Sequence, residues 1–511
     1  MNPLSMSVDL SQSFKAYDVR GIVGESITEA SVRAVGAAFV DVLGLAGSRV
    51  LVGGDMRPSS PGFAAAFAEG ATARGADVVM LGLVSTDMLY YACGVEQAAG
   101  VVFTASHNPA AYNGMKMAKA GAVPVSSDTG LFQIRDVAQS YLDSGEVPVA
   151  SATGAVTEQD VLAGYAAYLR SLVDLSGIRP LKVVVDAGNG MAGMTTPAVL
   201  GQTVLAGLPL QIEPLYFELD GTFPNHPANP LEPENLRDLQ AAVLAHSADI
   251  GLAFDGDADR CFVIDETGAP VSPSAVTGLV ARREIARAKA GDTVNGVIQA
   301  PEAEPVVIHN LITSRAVPEL VVAAGGRAVK TRVGHSFIKA VMASEGAVFG
   351  GEHSAHYYFR DFFNADTGML AAMHVLAALG AQDGPLSELA AEYDPYTASG
   401  EINSEVEDKA AAVDRVLEVF ANGWIEAGRT DGGTSTTCQA CLPDAQLAGA
   451  EVTVDTMDGT TVAAADGTWW FNLRPSNTEP FLRYNGEAHD PATMATVRDT
   501  VLKLVRQDTS L

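Results

Sequence analysis

The sequence predicts an α/β protein of several similar units, the last of them α+β. Three observations lead there. Short apolar runs ending in Gly- or Asp-rich turns alternate with helical stretches over most of the chain, the pattern of mostly parallel or mixed sheets packed with helices. The length of 511 residues corresponds to three or four domains at about 150 residues each. The last part breaks the pattern: its apolar strands come as neighbours and a helix closes it.

Taken in order, the first unit (1–150) has strands at 49–53, 77–81 and 101–103, with an alanine-rich helix at 61–74 that carries Pro61 near its start. A small-residue stretch at 147–157 reads as a linker. The second unit (151–266) opens with the strand Leu181–Asp186, which runs into the glycine turn 187–190. It continues through a proline-rich turn region at 220–233 and ends with a strand at 249–254. The third (267–385) has a helix at 274–290, apolar runs at 306–308, 321–323 and 347–350, and a buried helix at 367–379. The fourth (386–511) has a helix near 411–422 and strands at 468–472 and 481–485. Its last helix is at 491–505, with Asp490 as N-cap and Pro491 at the first helical position. Two stretches, 293–304 and 430–468, read as insertions.

Composition narrows the function. A hydrophobic content of 48% supplies substantial cores. A net charge of −29 argues against a nucleic-acid partner or an anionic membrane surface. A phosphorylated small molecule remains compatible if a few cations are focused in a cleft. Four cysteines are too few for a disulfide framework in a chain this long, and Cys438-Gln-Ala-Cys441 has no second ligand pair nearby to make a zinc site. No secretory signal and no bilayer-length apolar run is visible, so a cytoplasmic protein is expected.

Four stretches carry chemistry. Thr104-Ala-Ser106-His107-Asn108-Pro109 follows the apolar run 100–103 and presents a hydroxyl on a loop restrained by proline. Asp255-Gly-Asp257-Ala-Asp259-Arg260 follows the strand ending at Phe254. Its aspartates alternate on one side of an extended segment, offering hard oxygen ligands that suit Mg²⁺. An EF-hand is excluded, because Arg260 stands where that loop needs glycine and the flanks are strands. Arg260 adds a fork for phosphate. In Gly351-Glu352-His-Ser354-Ala-His356, alternation lets a carboxylate, a hydroxyl and an imidazole face one way, a natural reader of sugar hydroxyls. Arg474-Pro-Ser476-Asn477-Thr478 has the inventory of a phosphate cradle. Smaller motifs place cations at Tyr17-Asp-Val-Arg20, at Lys116, and at Lys330-Thr-Arg-Val-Gly-His335.

Together, and in this order, these residues resemble the α-D-phosphohexomutase family, phosphomannomutase/phosphoglucomutase subgroup. The resemblance implies four domains around a central cleft: three similar α/β domains and a C-terminal domain of the TATA-box-binding-protein-like type that moves during turnover. It implies reversible phosphoryl transfer between O1 and O6 of a hexose phosphate, by way of a phosphorylated Ser106 and a hexose 1,6-bisphosphate intermediate and activator. One Mg²⁺ per chain is then expected on Ser106, Asp255, Asp257 and Asp259, with Lys116, His356, Arg20 and Arg260 as catalytic residues. Tyr17, His107, Lys330, His335, Glu352, Ser354, Arg474, Ser476, Asn477 and Thr478 would bind substrate. The resemblance is also that of a monomer or weak dimer. Phosphoglucosamine mutase is the near alternative, and a non-catalytic sugar-phosphate-binding protein the distant one. The chain departs from the family pattern at Ala258 and Ala355, where glycine is common, and at His353, where methionine or glutamine is common.

Overall fold

Among the described residues four large sheets follow one another along the chain, and the first three share one plan. The structure is a computed structural model that describes residues 8–291, 293–294, 297–421, 436–439, 450–476 and 480–507, with the backbone alone at 293–294, 297–298, 335–336 and 436–439. The first sheet runs in the order Val19–Ile22, Tyr112–Ala118, Ala99–Phe103, Arg49–Gly54, Asp77–Leu83, Val156–Glu158. The second runs Pro270–Val271, Cys261–Asp265, Ile250–Phe254, Leu181–Asp186, Leu210–Leu215. The third runs Arg327–Thr331, Val306–Asn310, Phe349–Gly351, Tyr357–Phe359, Ala365–Asp366.

In each of these sheets the last parallel strand turns into an antiparallel neighbour. Ala99–Phe103 pairs antiparallel with Tyr112–Ala118, Ile250–Phe254 with Cys261–Asp265, and Phe349–Gly351 with Tyr357–Phe359. All residues of these three parallel strands are buried, which is why each reads as a continuous apolar run. The serine, aspartate and sugar loops therefore occupy one topological position, repeated three times. The fourth sheet is antiparallel throughout, and its predicted phosphate loop joins Trp469–Pro475 to Phe481–Ala488.

Several expectations are corrected. The stretch 147–157 is not only a linker. Val156–Glu158 closes the edge of the first sheet, parallel to Asp77–Leu83, and every residue of it is exposed, so no apolar signal marked it. The apolar run 321–323 ends the helix Ala316–Ala323; three β-branched or small residues do not distinguish strand from helix. The described residues of the stretch 430–468 belong to the fourth sheet. Glu451–Asp455 and Thr460–Ala464 are inner strands of the fourth sheet, with Val452, Val454, Val462 and Ala464 buried in alternation among Thr and Asp. The other presumed insertion holds a two-stranded hairpin, Thr293–Val294 with Val297–Ile298. Cys438 lies on the strand Thr436–Gln439, while Cys441 lies outside the described residues. The last helix is Pro491–Val505, and the Asp490 carboxylate accepts from the N–H groups of Ala492 and Thr493 as its cap requires.

One apolar cluster extends beneath the second and third sheets and takes in one face of the first, through Met88, Leu89 and Cys93 of the helix Thr86–Val95. The fourth sheet has its own core around Phe420, Trp469, Phe471 and Tyr484. No helix among the described residues is long and apolar enough to cross a membrane.

The proline-rich region 220–233 reaches towards the serine and aspartate loops: Phe223 lies against the Arg57 guanidinium at 5.1 Å. It is tied down by His226, whose Nε2 is 3.0 Å from Asp186 Oδ2. Burial opposes a charge on His226, but the bond to Asp186 wins and raises its pKa above the ordinary value. A raised folded-state pKa gives stability that is fully present below the unfolded value of about 6.5 and is lost as pH rises through the folded value. Denaturant titrations from pH 5 to 9 are expected to show this loss in the wild type, and His226→Gln to flatten that part of the profile.

Candidate active site

Ser106 follows the Ala99–Phe103 strand and takes the left-handed backbone region, φ 50°. Such a conformation costs a non-glycine residue of the order of 1–3 kcal/mol unless its surroundings impose it. Arg57 imposes it. Its Nη2 donates to Ser106 O at 2.8 Å and Asn108 O at 2.7 Å, its Nη1 to Pro109 O and Tyr112 O at 2.9 Å each, and its Nε to Asp55 at 3.2 Å. From the other side Gly256 closes in: a Cβ there would meet Ser106 O at 2.5 Å, so only glycine fits. Pinned between them, the Ser106 hydroxyl donates to Asp255 Oδ2 at 2.7 Å and accepts from Arg260 Nη2 at 3.2 Å.

The aspartate loop is a turn rather than an extended segment. Ala258 N–H bonds Asp255 O at 3.0 Å, and Ala258 itself has φ 62°. The turn still gathers the three carboxylates, each offering an oxygen within 4.8 Å of the others, all buried. Lys116 Nζ donates to Asp257 Oδ2 at 2.7 Å and Asp259 Oδ2 at 2.5 Å. Asp257 Oδ1 and Asp259 Oδ1 are left buried without hydrogen-bond partners. Unsatisfied buried carboxylate oxygens are costly, and a hard divalent cation with oxygen ligands satisfies them, so the donor set fits a metal ion.

Electrostatics follow from burial. Asp255 is pushed above the ordinary carboxylate range by burial, with Arg260 opposing and the other two aspartates adding to the rise. Lys116 stays well above its usual value because Asp257 and Asp259 outweigh its burial. His107 is pushed down to about 2 by burial and by Arg260 and Arg20, so it is a neutral imidazole. Burial also lowers His356, against the pull of Asp259.

The sugar loop forms the same turn as the aspartate loop: Ala355 N–H bonds Glu352 O at 3.1 Å, with Ala355 at φ 63°. The two loops are joined by a bridge between Arg260 and His356. Glu352 is fixed by Asn310 Nδ2 at 3.2 Å, the Gly334 N–H at 3.1 Å and the Tyr358 hydroxyl at 2.8 Å. His356 Nδ1 lies 3.1 Å from Ser354 Oγ, and its Nε2 lies 3.7 Å from Asp259 Oδ1. His353 points elsewhere, its Nδ1 3.0 Å from Ser274 Oγ.

A cavity of about 810 Å³ brings together Tyr17, Arg20, Ser106, His107, Lys116, Arg260, Glu352, Ser354 and His356. Four sequence-matched domains accompany it. Residues 11–142, 163–268 and 287–396 match phosphoglucomutase/phosphomannomutase alpha/beta/alpha domains I, II and III, and residues 401–504 match the C-terminal domain of the same family. The chain belongs to the phosphoglucomutase/phosphomannomutase family. It is 38% identical to a Xanthomonas campestris pv. campestris protein named phosphohexose mutases, over 97% of this chain and 99% of that one. It is 36% identical to a phosphomannomutase of Salmonella typhimurium, again over 97% and 99%. The solved structure of a phosphoglucomutase/phosphomannomutase family protein from Burkholderia thailandensis superposes with a TM-score of 0.76 at 28% identity, covering 98% of each chain. The protein is thus an enzyme, a phosphohexose mutase.

Some predicted residues of the mutase do not reach the cavity. Lys330 pairs with Asp455 of the fourth sheet and lies outside it. Arg474 and Ser476 are also outside: Arg474 stands 4.0 Å from Glu401 and from Asp458, and Ser476 O accepts from Lys409 Nζ at 3.0 Å. Arg474 Nε is buried without a hydrogen-bond partner. Asn477, Thr478 and the His335 side chain lie outside the described residues. Sequence reasoning missed Arg57, Asn310 and Asp366. The Asp366 carboxylate lies with Asp259 and His356 within 4.8 Å and pairs with the buried Lys339 at 2.5 Å. Only Gly53-Gly-Asp55-Met-Arg57, an arginine just past an apolar strand end, offered a cue.

Arg57→Lys keeps the charge but cannot reach four carbonyls. It is expected to cost about 3 kcal/mol in stability, by analogy with breaking a buried pair, and to lower kcat far more than it alters KM; thermal melts and steady-state kinetics check both.

Proposed function

We propose that this mutase moves a phosphoryl group reversibly between O1 and O6 of mannose and glucose phosphates, through a phosphorylated Ser106 and a hexose 1,6-bisphosphate that also serves as activator. The observation that carries this reading is the Ser106 hydroxyl, 2.7 Å from Asp255 and in one cavity with Glu352, Ser354 and His356. The names of two relatives support mannose and hexose phosphates as the substrate class.

One Mg²⁺, held by Asp255, Asp257 and Asp259 with Ser106, would supply Lewis-acid relief of negative charge on the transferring group. The chain's own groups do the rest. The bond from Ser106 Oγ to phosphorus breaks as a sugar hydroxyl forms the new one. His356, kept neutral by burial, takes the hydroxyl proton. Lys116, Arg20 and Arg260 balance the charge, and Lys116 keeps its proton while paired with two aspartates. The bisphosphate then turns round and returns its other phosphoryl group to Ser106. Glu352 and Ser354 hold two neighbouring sugar hydroxyls, O3 and O4, in either orientation, because a carboxylate and a hydroxyl do not distinguish the two ends of the ring. Arg474, Ser476, Asn477 and Thr478 would hold the phosphate that does not react, and Tyr17, His107, Lys330 and His335 would contribute further substrate contacts. For Arg474 and Ser476 this requires the fourth domain to swing towards the cavity.

Coupled assays with the 1-phosphates of mannose, glucose and glucosamine are expected to show turnover of the first two; a preference for the amino sugar would overturn the sugar assignment. Intact-mass measurement of the purified enzyme is expected to show one phosphate, absent from Ser106→Ala. That variant should retain its fold and substrate binding while losing at least 1,000-fold in kcat, an order set by removing the phosphoryl carrier.

A further inference from the structure

Behind the aspartate loop, three domains meet at one carboxylate. Asp87, in the first turn of the helix Thr86–Val95 of the first domain, is fully buried. It accepts hydrogen bonds from Ser85 Oγ, from the hydroxyl of Tyr165 in the second domain at 2.5 Å, and from Thr367 Oγ1 in the third at 2.7 Å. Thr367 also caps the helix Gly368–Gly380. That helix starts against the aspartate loop: a Cβ on Gly368 would meet the Arg260 carbonyl carbon at 2.6 Å.

The neighbour of this carboxylate, Thr86, touches the loop directly. Its N–H donates to Asp257 O at 3.1 Å and its hydroxyl to Asp257 Oδ2 at 2.5 Å. Oδ2 is the same oxygen that receives Lys116. Both donors therefore sit on one oxygen of Asp257, and Oδ1 is the one left buried and bare. A carboxylate rotates freely about its last bond unless donors choose an orientation. Lys116 cannot choose alone, because its ammonium is shared with Asp259 and rotates on a flexible stem. The Thr86 hydroxyl is β-branched, buried and at the start of a helix that Asp87 ties to the other two domains.

We propose that Thr86 is a positioning residue for the divalent-cation site: held by the three-domain junction at Asp87, it orients Asp257 so that Oδ1 faces the cation. This rests on the reading of Asp255, Asp257 and Asp259 as the cation site. Second partners of this kind commonly change metal affinity tenfold or more. Thr86 itself does not line the cavity.

The test is Mn²⁺ binding to the full chain, followed by calorimetry and by the spin-resonance signal of free Mn²⁺. Thr86→Val, which keeps the shape and removes the donor, is expected to weaken Mn²⁺ about tenfold, and Thr86→Ser to restore it to within about twofold. Tyr165→Phe, which removes one hydrogen bond from Asp87 and touches no aspartate of the loop, is expected to weaken it by a smaller factor of about three. Melting curves without metal report whether each variant folds, and if Thr86→Val does not, Tyr165→Phe decides. Wild-type affinity in both folded variants, or in Tyr165→Phe alone where Thr86→Val fails, overturns the proposal. Loss of binding in Asp257→Asn confirms the site itself; an Asp257→Asn variant that binds as well as wild type, or a wild type that binds no Mn²⁺, overturns the cation-site reading instead.

Discussion

Three buried carboxylates with oxygens within 4.8 Å of one another repel, and much of the architecture exists to hold them together. The contributions come from several directions. Lys116 reaches in from the first sheet and bonds two of them. Arg260, next in sequence, bonds the third and hands one N–H to the serine. Even so, two oxygens are left without hydrogen-bond partners. That residue of unsatisfied charge is what lets the loop accommodate a cation.

The same logic explains how a chain of net charge −29 handles an anionic substrate. Its cations are not spread evenly against the acidic surface. Arg20, Lys116 and Arg260 converge on one cavity with the serine. A low-dielectric cleft of one sign focuses the field on its own contents, so an acidic exterior and a cation-lined interior coexist.

Much of this could be read beforehand, and the rest was hidden for physical reasons. The buried parallel strands were legible because burial on both faces demands unbroken apolar runs, and the three loops were legible because each follows one. The edge strand Val156–Glu158 has no buried face and left no trace in the sequence. The strands at Glu451–Asp455 and Thr460–Ala464 alternate too gently among threonines to stand out. In the site, the residues that line the cavity with chemistry-bearing side chains announced themselves by type. Arg57 and Thr86 act on backbone carbonyls and on another side chain, contacts set by tertiary packing across 49 and 171 residues of sequence. The alanines at 258 and 355 were visible as departures from glycine, but only φ values of 62° and 63° show that both loops keep the left-handed turn that glycine would have made easier.

The continuous core beneath three of the sheets has a consequence for how the chain comes apart. Domains that share apolar contacts resist losing their cores one at a time, because opening one exposes surface belonging to the next, and this holds even though the other face of the first sheet has its own cluster around Phe39, Phe67 and Phe103. The first three should therefore melt as a single cooperative block. The fourth, whose apolar cluster around Phe420, Trp469, Phe471 and Tyr484 is separate, is free to open as a unit of its own at lower cost. Ligand that bridges the two would couple their unfolding, so two calorimetric peaks that merge on saturation would record, in heat, that ligand spans the boundary between the shared core and the separate one.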